Sequence, residues 1–250
     1  MTEEGQQQDI LVDIPDEDLP ELAEMYKKHQ DWAPHHNSFN VFYFSLGDCK
    51  SICEAFRRTK RLEPRDYTKD TKLVLLYSIH QRLYTPVKEV VKETGKTLTY
   101  ENSYHMLSIP CEEALRFEIE CPEEVYMKQL DTTHAHFVNS LWPHRYEDSE
   151  KYVALLIEMN DSYGLFLKST GELVCWVLLS MLGQLNLLQT VDAHKRKGYA
   201  SIIVKHASKE MAKKGYSAFG TIFIENEASV ALFRSIGFRN LGIAVYATYE

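Results

Sequence analysis

The residues best suited to chemistry lie together at Lys195-Arg196-Lys197-Gly198-Tyr199-Ala200. Three cationic side chains precede a glycine and a small residue. The apolar run Leu185, Leu187, Leu188 and Val191 leads into them as a buried strand would. Asp192 to Lys197 reads as a polar loop, and Ser201 to Lys214 has the composition of a helix. A helix start carries unsatisfied N–H donors and the positive end of the dipole, so this turn gathers what a diphosphate binds. Each such contact contributes about 0.3–1 kcal/mol. Gly198 lets the backbone approach the anion closely, and Ala200 keeps the next turn open.

Such a turn needs elements to hold it. Upstream, Gly164–Lys168 and Leu173–Ser180 read as strands joined across Ser169-Thr170-Gly171. Met181-Leu182-Gly183 then turns the chain into the strand that feeds the basic loop. Leu130 to Trp142 reads as a helix with Asp131 as its N-cap and an apolar stripe at Ala135, Val138 and Trp142. Tyr152 to Asn160 is a second helix. Downstream, Gly215 closes the helix 201–214. A strand (Tyr216–Ile224), a helix (Glu227–Ser235) and a strand (Leu241–Tyr249) follow.

The first half is a mixed α/β unit of its own. Pro20–Gln30 reads as a helix, Phe39–Leu46 as a strand, and Ile52, Ala55 and Phe56 as one face of a short helix. Leu73–Ile79 is strand-like, and Pro86–Glu93 is helical with proline in its first turn. Strand pieces follow at Thr97–Tyr100 and Tyr104–Ile109. The mixed-sign run 57–72 reads as a solvated surface. The domain boundary is expected at residue 122, dividing 1–121 from 122–250.

Composition narrows the function classes. The chain has 250 residues, room for two domains of ordinary size. A net charge of -8 and a pI of about 5.7 argue against a general nucleic-acid binder. No apolar run approaches the roughly 20 residues that span a bilayer, so no membrane partner is expected. The acidic opening MTEEGQQQDILVDIPDEDLPE resembles neither a secretory signal nor an Arg-rich transit peptide. The five cysteines are scattered, with no Cys-x-x-Cys and no metal-ligand spacing. They read as reduced thiols of a cytoplasmic protein, with no metal site; a mitochondrial location is less favoured.

The basic turn resembles the coenzyme A pyrophosphate loop of the GNAT superfamily of N-acetyltransferases, Arg/Gln-x-x-Gly-x-Gly/Ala, with Lys195 in place of the usual first residue. Asn226-Glu227-Ala228-Ser229-Val230-Ala231-Leu232-Phe233-Arg234-Ser235-Ile236-Gly237-Phe238 resembles the superfamily's second signature: an Asn, a short helix, then Gly-Phe. One helix and one strand separate the two motifs, as the superfamily requires. Within it, His134-Ala135-His136-Phe137-Val138-Asn139, Trp142 and Gly183 are similar to the glycine N-acyltransferase-like group. Phe39-Asn40 before a strand resembles that group's first half, which lacks the coenzyme loop as this one does.

The resemblance implies an α/β (α+β) fold of two tandem GNAT-like domains, with a mixed central sheet whose parallel strands splay apart, flanked by helices. It implies acetyl-CoA or another acyl-CoA as co-substrate and the amine of glycine, another amino acid or a small amine as acceptor. Leu188 and Thr190 would offer backbone groups to the pantetheine and the thioester carbonyl. Lys195, Arg196, Lys197, Gly198, Tyr199 and Ala200 would hold the diphosphate. Asn226 would bond the pantetheine, and Ser229 would lie near the sulfur.

Two positions depart from the family's chemistry. The proposed Glu base of glycine acyltransferases falls at Gln184, which accepts no proton near neutral pH. The frequent general-acid Tyr falls at Phe233. Glu225, His194, His134 and His136 are the remaining acid–base candidates, and no catalytic residue is assigned. Two other readings stay open: a coenzyme-binding protein with little or no catalysis, and an interaction module whose basic turn takes another anion.

Overall fold

The computed structural model describes residues 53, 74–93, 95–180 and 183–249, which divide into two units. The first holds the described residues up to Tyr104 and the segment from Gly242 onward. The second holds His105–Leu241. The readings at Pro20–Gln30, Phe39–Leu46 and 57–72 lie outside the described residues. So does most of the short helix near Ile52; Cys53 within it is helical and buried.

In the first unit, β1 (Val74–His80) runs into α1 (Gln81–Glu93). Strand β1 pairs antiparallel with the end of β8 (Arg239–Tyr249), placing Val74 opposite Tyr249 and His80 opposite Ala244. The expected helix Pro86–Glu93 begins a turn and a half earlier, so Pro86 lies inside it. Leu83, Tyr84, Val87, Val90 and Val91 form one buried stripe. That stripe holds the helix through the single backbone bond that Pro86 cannot donate. The two expected strand pieces near residues 97–109 are one strand, β2 (Leu98–Ile109). Glu101, in its polar middle, stays in the strand and accepts hydrogen bonds from the Tyr84 hydroxyl and the Lys88 ammonium.

The second unit continues through α2 (Cys111–Ala114) and β3 (Val125–Gln129), neither of which the sequence pattern suggested. Only Val125 of β3 is buried, so no alternation marks it. The stretch Leu130–Trp142 is a 3₁₀ turn (Thr132–His134) running into α3 (Ala135–Leu141). Asp131 caps the turn as expected, accepting the Thr133 N–H at 3.1 Å. Then come α4 (Ser149–Met159), β4 (Ser162–Leu167), β5 (Leu173–Leu179) and β6 (Leu185–Thr190). A 3₁₀ turn (Asp192–His194) precedes α5 (Tyr199–Lys213), and β7 (Ala218–Phe223), α6 (Glu227–Ile236) and the start of β8 complete the unit.

Strands β3-β4-β5-β6 form one antiparallel sheet with a core on each face. One core packs α5 and α6 through Ile203, Val204, Ala207, Met211, Val230 and Phe233. The other packs α3 and α4 through Val138, Val153 and Leu156 against Trp176 and Leu178. Strand β7 is hydrogen-bonded to β2 and not to β6, although β6 and β7 lie against each other. The two hydrogen-bonded sheets part between β6 and β7. That parting is the splay.

Candidate functional site

Strand β6 carries the geometry that opens the gap. Opposite β5, Gln189 faces Trp176 and Asn186 faces Leu178, so β6 has one residue more than its partner over this stretch. Leu187 lies within the extra length at φ +45°. A bulge of this kind turns the strand and takes its backbone out of the ladder. Successive side chains here face opposite cores, Leu187 packing on the α3/α4 core and Leu188 on the α5/α6 core. Where β6 begins, β7 comes close: a Cβ on Gly220 would sit 3.3 Å from the Leu185 carbonyl oxygen. A glycine inside a strand marks such an approach.

From Thr190 the chain enters the basic turn. The Thr190 hydroxyl donates to Cys175 Sγ at 3.2 Å, and burial pushes that thiol's pKa up to about 12. Arg196 (φ +62°) and Gly198 (φ +80°) are both left-handed, flanking Lys197. For Arg196 that conformation costs roughly 1–2 kcal/mol. Paired conformations of this type turn successive amides toward one point. No side chain caps α5, whose first backbone bond runs from the Ile202 N–H to the Gly198 carbonyl. The amides of residues 197–201 meet no acceptor among the described residues.

The cations around those amides differ in their ties. The Lys195 ammonium pairs with Asp192 at 2.6 Å. The Lys197 ammonium lies 3.4 Å from His194 Nδ1 and 5.9 Å from the Tyr199 ring centroid. Arg196 is exposed, with no recorded ion pair among the described residues. Tyr199 is buried at 1% exposure, and its hydroxyl donates to Glu124 Oε1 at 2.8 Å. Burial, then that hydrogen bond, raises the tyrosine's pKa to about 12. Glu124's own backbone N–H, then the Tyr199 hydroxyl, hold its carboxyl below the usual range.

Across the gap, Asn226 caps α6, its Oδ1 accepting the Ser229 N–H at 3.1 Å. That leaves the carboxamide NH₂ for another partner. Phe233 is buried and packs edge-on to Phe238 with centroids 4.8 Å apart. Gln184 is buried too, its amide N–H donating to Ser180 Oγ at 3.2 Å. Two of the histidine candidates are engaged elsewhere. His134 Nδ1 accepts the Asp131 amide in a capping box, and His136 Nδ1 lies 2.8 Å from Glu150. Glu225 is exposed at the end of β7.

Sequence reasoning missed two participants. Glu124 carried no signal, because its contact to Tyr199 joins residues 75 positions apart. Gly220 did carry one, as a lone glycine in an apolar strand.

Helices flank antiparallel sheets that part beside a basic helix start, an α/β fold of the kind the GNAT resemblance implies. Residues 162–247 match the model of the FR47-like protein family, and the resemblance to the GNAT superfamily stands. Human glycine N-acyltransferase is 25% identical over 103 residues, 41% of this chain and 34% of that protein. The chain thus spans about a third of the length of the curated relatives it matches. The X-ray structure of a Drosophila protein superposes with a TM-score of 0.79 at 20% identity, covering 97% of this chain and 99% of that one. A GCN5-related N-acetyltransferase from Kribbella flavida gives a TM-score of 0.46 at 15% identity, over 65% of this chain and 62% of its own. Among the described residues, no helix is long and apolar enough to cross a membrane.

Proposed function

We propose that this protein is an acyl-CoA-dependent N-acyltransferase that moves an acetyl or other acyl group to the amine of a small acceptor, glycine or another amino acid or amine. One observation carries the reading: the uncapped start of α5, where amides of residues 197–201 and three cations meet beside parted strands. In this reading Lys195, Arg196, Lys197, Gly198, Tyr199 and Ala200 hold the diphosphate. The backbone at Leu188 and Thr190 runs beside the pantetheine, with an N–H near Thr190 facing the developing oxyanion. Asn226 bonds the pantetheine through its free NH₂, and Ser229 lies near the sulfur. The residues suit the group chemically: donors and cations for its anionic part, backbone for its amides. The division into an N-terminal α/β domain (1–121) and an acyl-CoA-binding domain (122–250) and a cytoplasmic location belong to the same proposal.

Two observations favour a second reading, acyl-CoA binding with little turnover. Gln184 accepts no proton near neutral pH, and the buried Phe233 has no hydroxyl to donate. Calorimetry with acetyl-CoA tests what both readings share. Arg196→Ala combined with Lys197→Ala should weaken binding by roughly tenfold or more, about 1.4 kcal/mol. Wild-type affinity in the double variant would remove the loop assignment. A thiol-release screen with glycine, other amino acids and amines then separates an enzyme from a binder.

A further inference from the structure

Helix α4 carries more apolar surface than its place on the sheet uses. Val153, Leu156 and Ile157 are buried in the core that holds Trp176 and Leu178. Beside that stripe, Tyr152, Leu155 and Met159 follow at i, i+3 and i+7, a spacing that lines one flank of a helix. Leu155 is 45% exposed and Met159 71%. The strip continues past the start of the helix through Trp142, stacked on the Tyr152 ring with centroids 6.2 Å apart. Tyr146, 60% exposed, stands edge-on to Trp142 and ends it. Single apolar side chains on a surface are ordinary, and a continuous line of them is not.

Charge borders the strip on its other side. Lys151 and Glu158 are both exposed, one helical repeat apart and opposite in sign. Lys151 pairs with Asp148 at 2.9 Å, both side chains in solvent, where such a pair contributes little. Glu158 has no recorded ion pair among the described residues. A second α4 laid antiparallel across Leu155 brings the opposite sign to both places, Glu158 to Lys151 and Lys151 to Glu158. It also sets Leu155 against Leu155 and Met159 against Tyr152, a thioether on an aromatic ring. A parallel copy would set lysine level with lysine and glutamate level with glutamate. A face that complements itself in this way closes a two-fold contact.

We propose that this protein self-associates through α4, as an antiparallel helix pair across Leu155 with Trp142 and Tyr146 closing each end. The contact uses the α3/α4 side of the β3–β6 sheet, and α5 packs on the other, so it is independent of the acyl-CoA reading. Sedimentation velocity on the full chain across the micromolar range tests it. Wild type should pass from monomer to dimer as concentration rises. Leu155→Glu should raise the dissociation constant about tenfold or more. Lys151→Glu and Glu158→Lys should each raise it about three- to tenfold, because each sets like charges together. The double exchange should restore wild-type association, and so should an equimolar mixture of the two single variants. Both exchanged side chains are exposed, so they decide the matter even if Leu155→Glu fails to fold. A monomer at every concentration overturns the proposal. So does a dimer indifferent to the single exchanges, or a loss that neither the double exchange nor the mixture repairs.

Discussion

The Tyr199 hydroxyl reaches the Glu124 carboxylate at 2.8 Å, tying the first residue of α5 to the segment that enters β3. Tyr199 lies within the basic turn, and its side chain is buried. The contact therefore ties down the start of α5 through a side chain. With a pKa of about 12, the hydroxyl remains a donor at any working pH. Tyr199→Phe keeps the ring and removes the tether. It should weaken acyl-CoA binding about three- to tenfold. Adding Glu124→Gln to it should cause little further loss, because the two groups act as one unit. Independent, additive losses in calorimetry would mean that the pair does not position the turn.

Gly198 makes a separable demand. A Cβ there would meet nothing within 4 Å, so space does not require glycine; φ +80° does. Gly198→Ala should lower stability by about 1–2 kcal/mol, the left-handed penalty for a residue with a side chain. The new methyl would also stand beside the amides that the anion approaches. Coenzyme affinity should therefore fall further than the melting temperature accounts for. Thermal melts with and without acetyl-CoA distinguish the two effects: an equal shift in both would leave only the backbone penalty.

Gln184 stands where the resemblance places a carboxylate base. It is 3% exposed and precedes β6 where that strand meets Gly220. A carboxyl placed there would be desolvated, which raises its pKa toward the range of a useful general base. Gln184→Glu should increase thiol release with an amine acceptor and give the rate an ascending acid limb. Unchanged turnover in a folded variant would exclude this position as a site for a general base.

Much of this was legible in the sequence because it is local. The basic turn, the Asn226 cap, the Gly215 stop and the Asp131 cap each involve residues within a few positions, where spacing encodes geometry. Strand β3 was missed because its polar, mostly exposed residues leave no alternation. The helix through Pro86 starts earlier than its proline suggests because the buried stripe begins at Leu83. The bulge at Leu187, the left-handed Arg196 and the Glu124 tether escaped for a different reason. Each is imposed by a partner strand, by the turn's closure or by a residue far along the chain. No residue type announces them.

His206 gives the fold a pH dependence of known sign. It lies on α5 with its ring edge-on to Tyr163 at 4.7 Å, and burial lowers its pKa below the ordinary 6.5. Glu210 opposes that shift and Lys213 adds to it. Tyr163 faces it from β4 with its own pKa raised, first by burial and then by Asp161 and Glu210. Folding therefore favours the neutral imidazole. Between the lowered folded value and about 6.5 the unfolded chain binds the extra proton, so stability rises with pH across that window. The contribution is complete above about pH 6.5 and declines as pH falls toward the folded value. Chemical denaturation at a series of pH values should show this slope in wild type and a shallower one in His206→Gln. The comparison must be made above pH 5, where the carboxylates stay ionised and add little slope of their own.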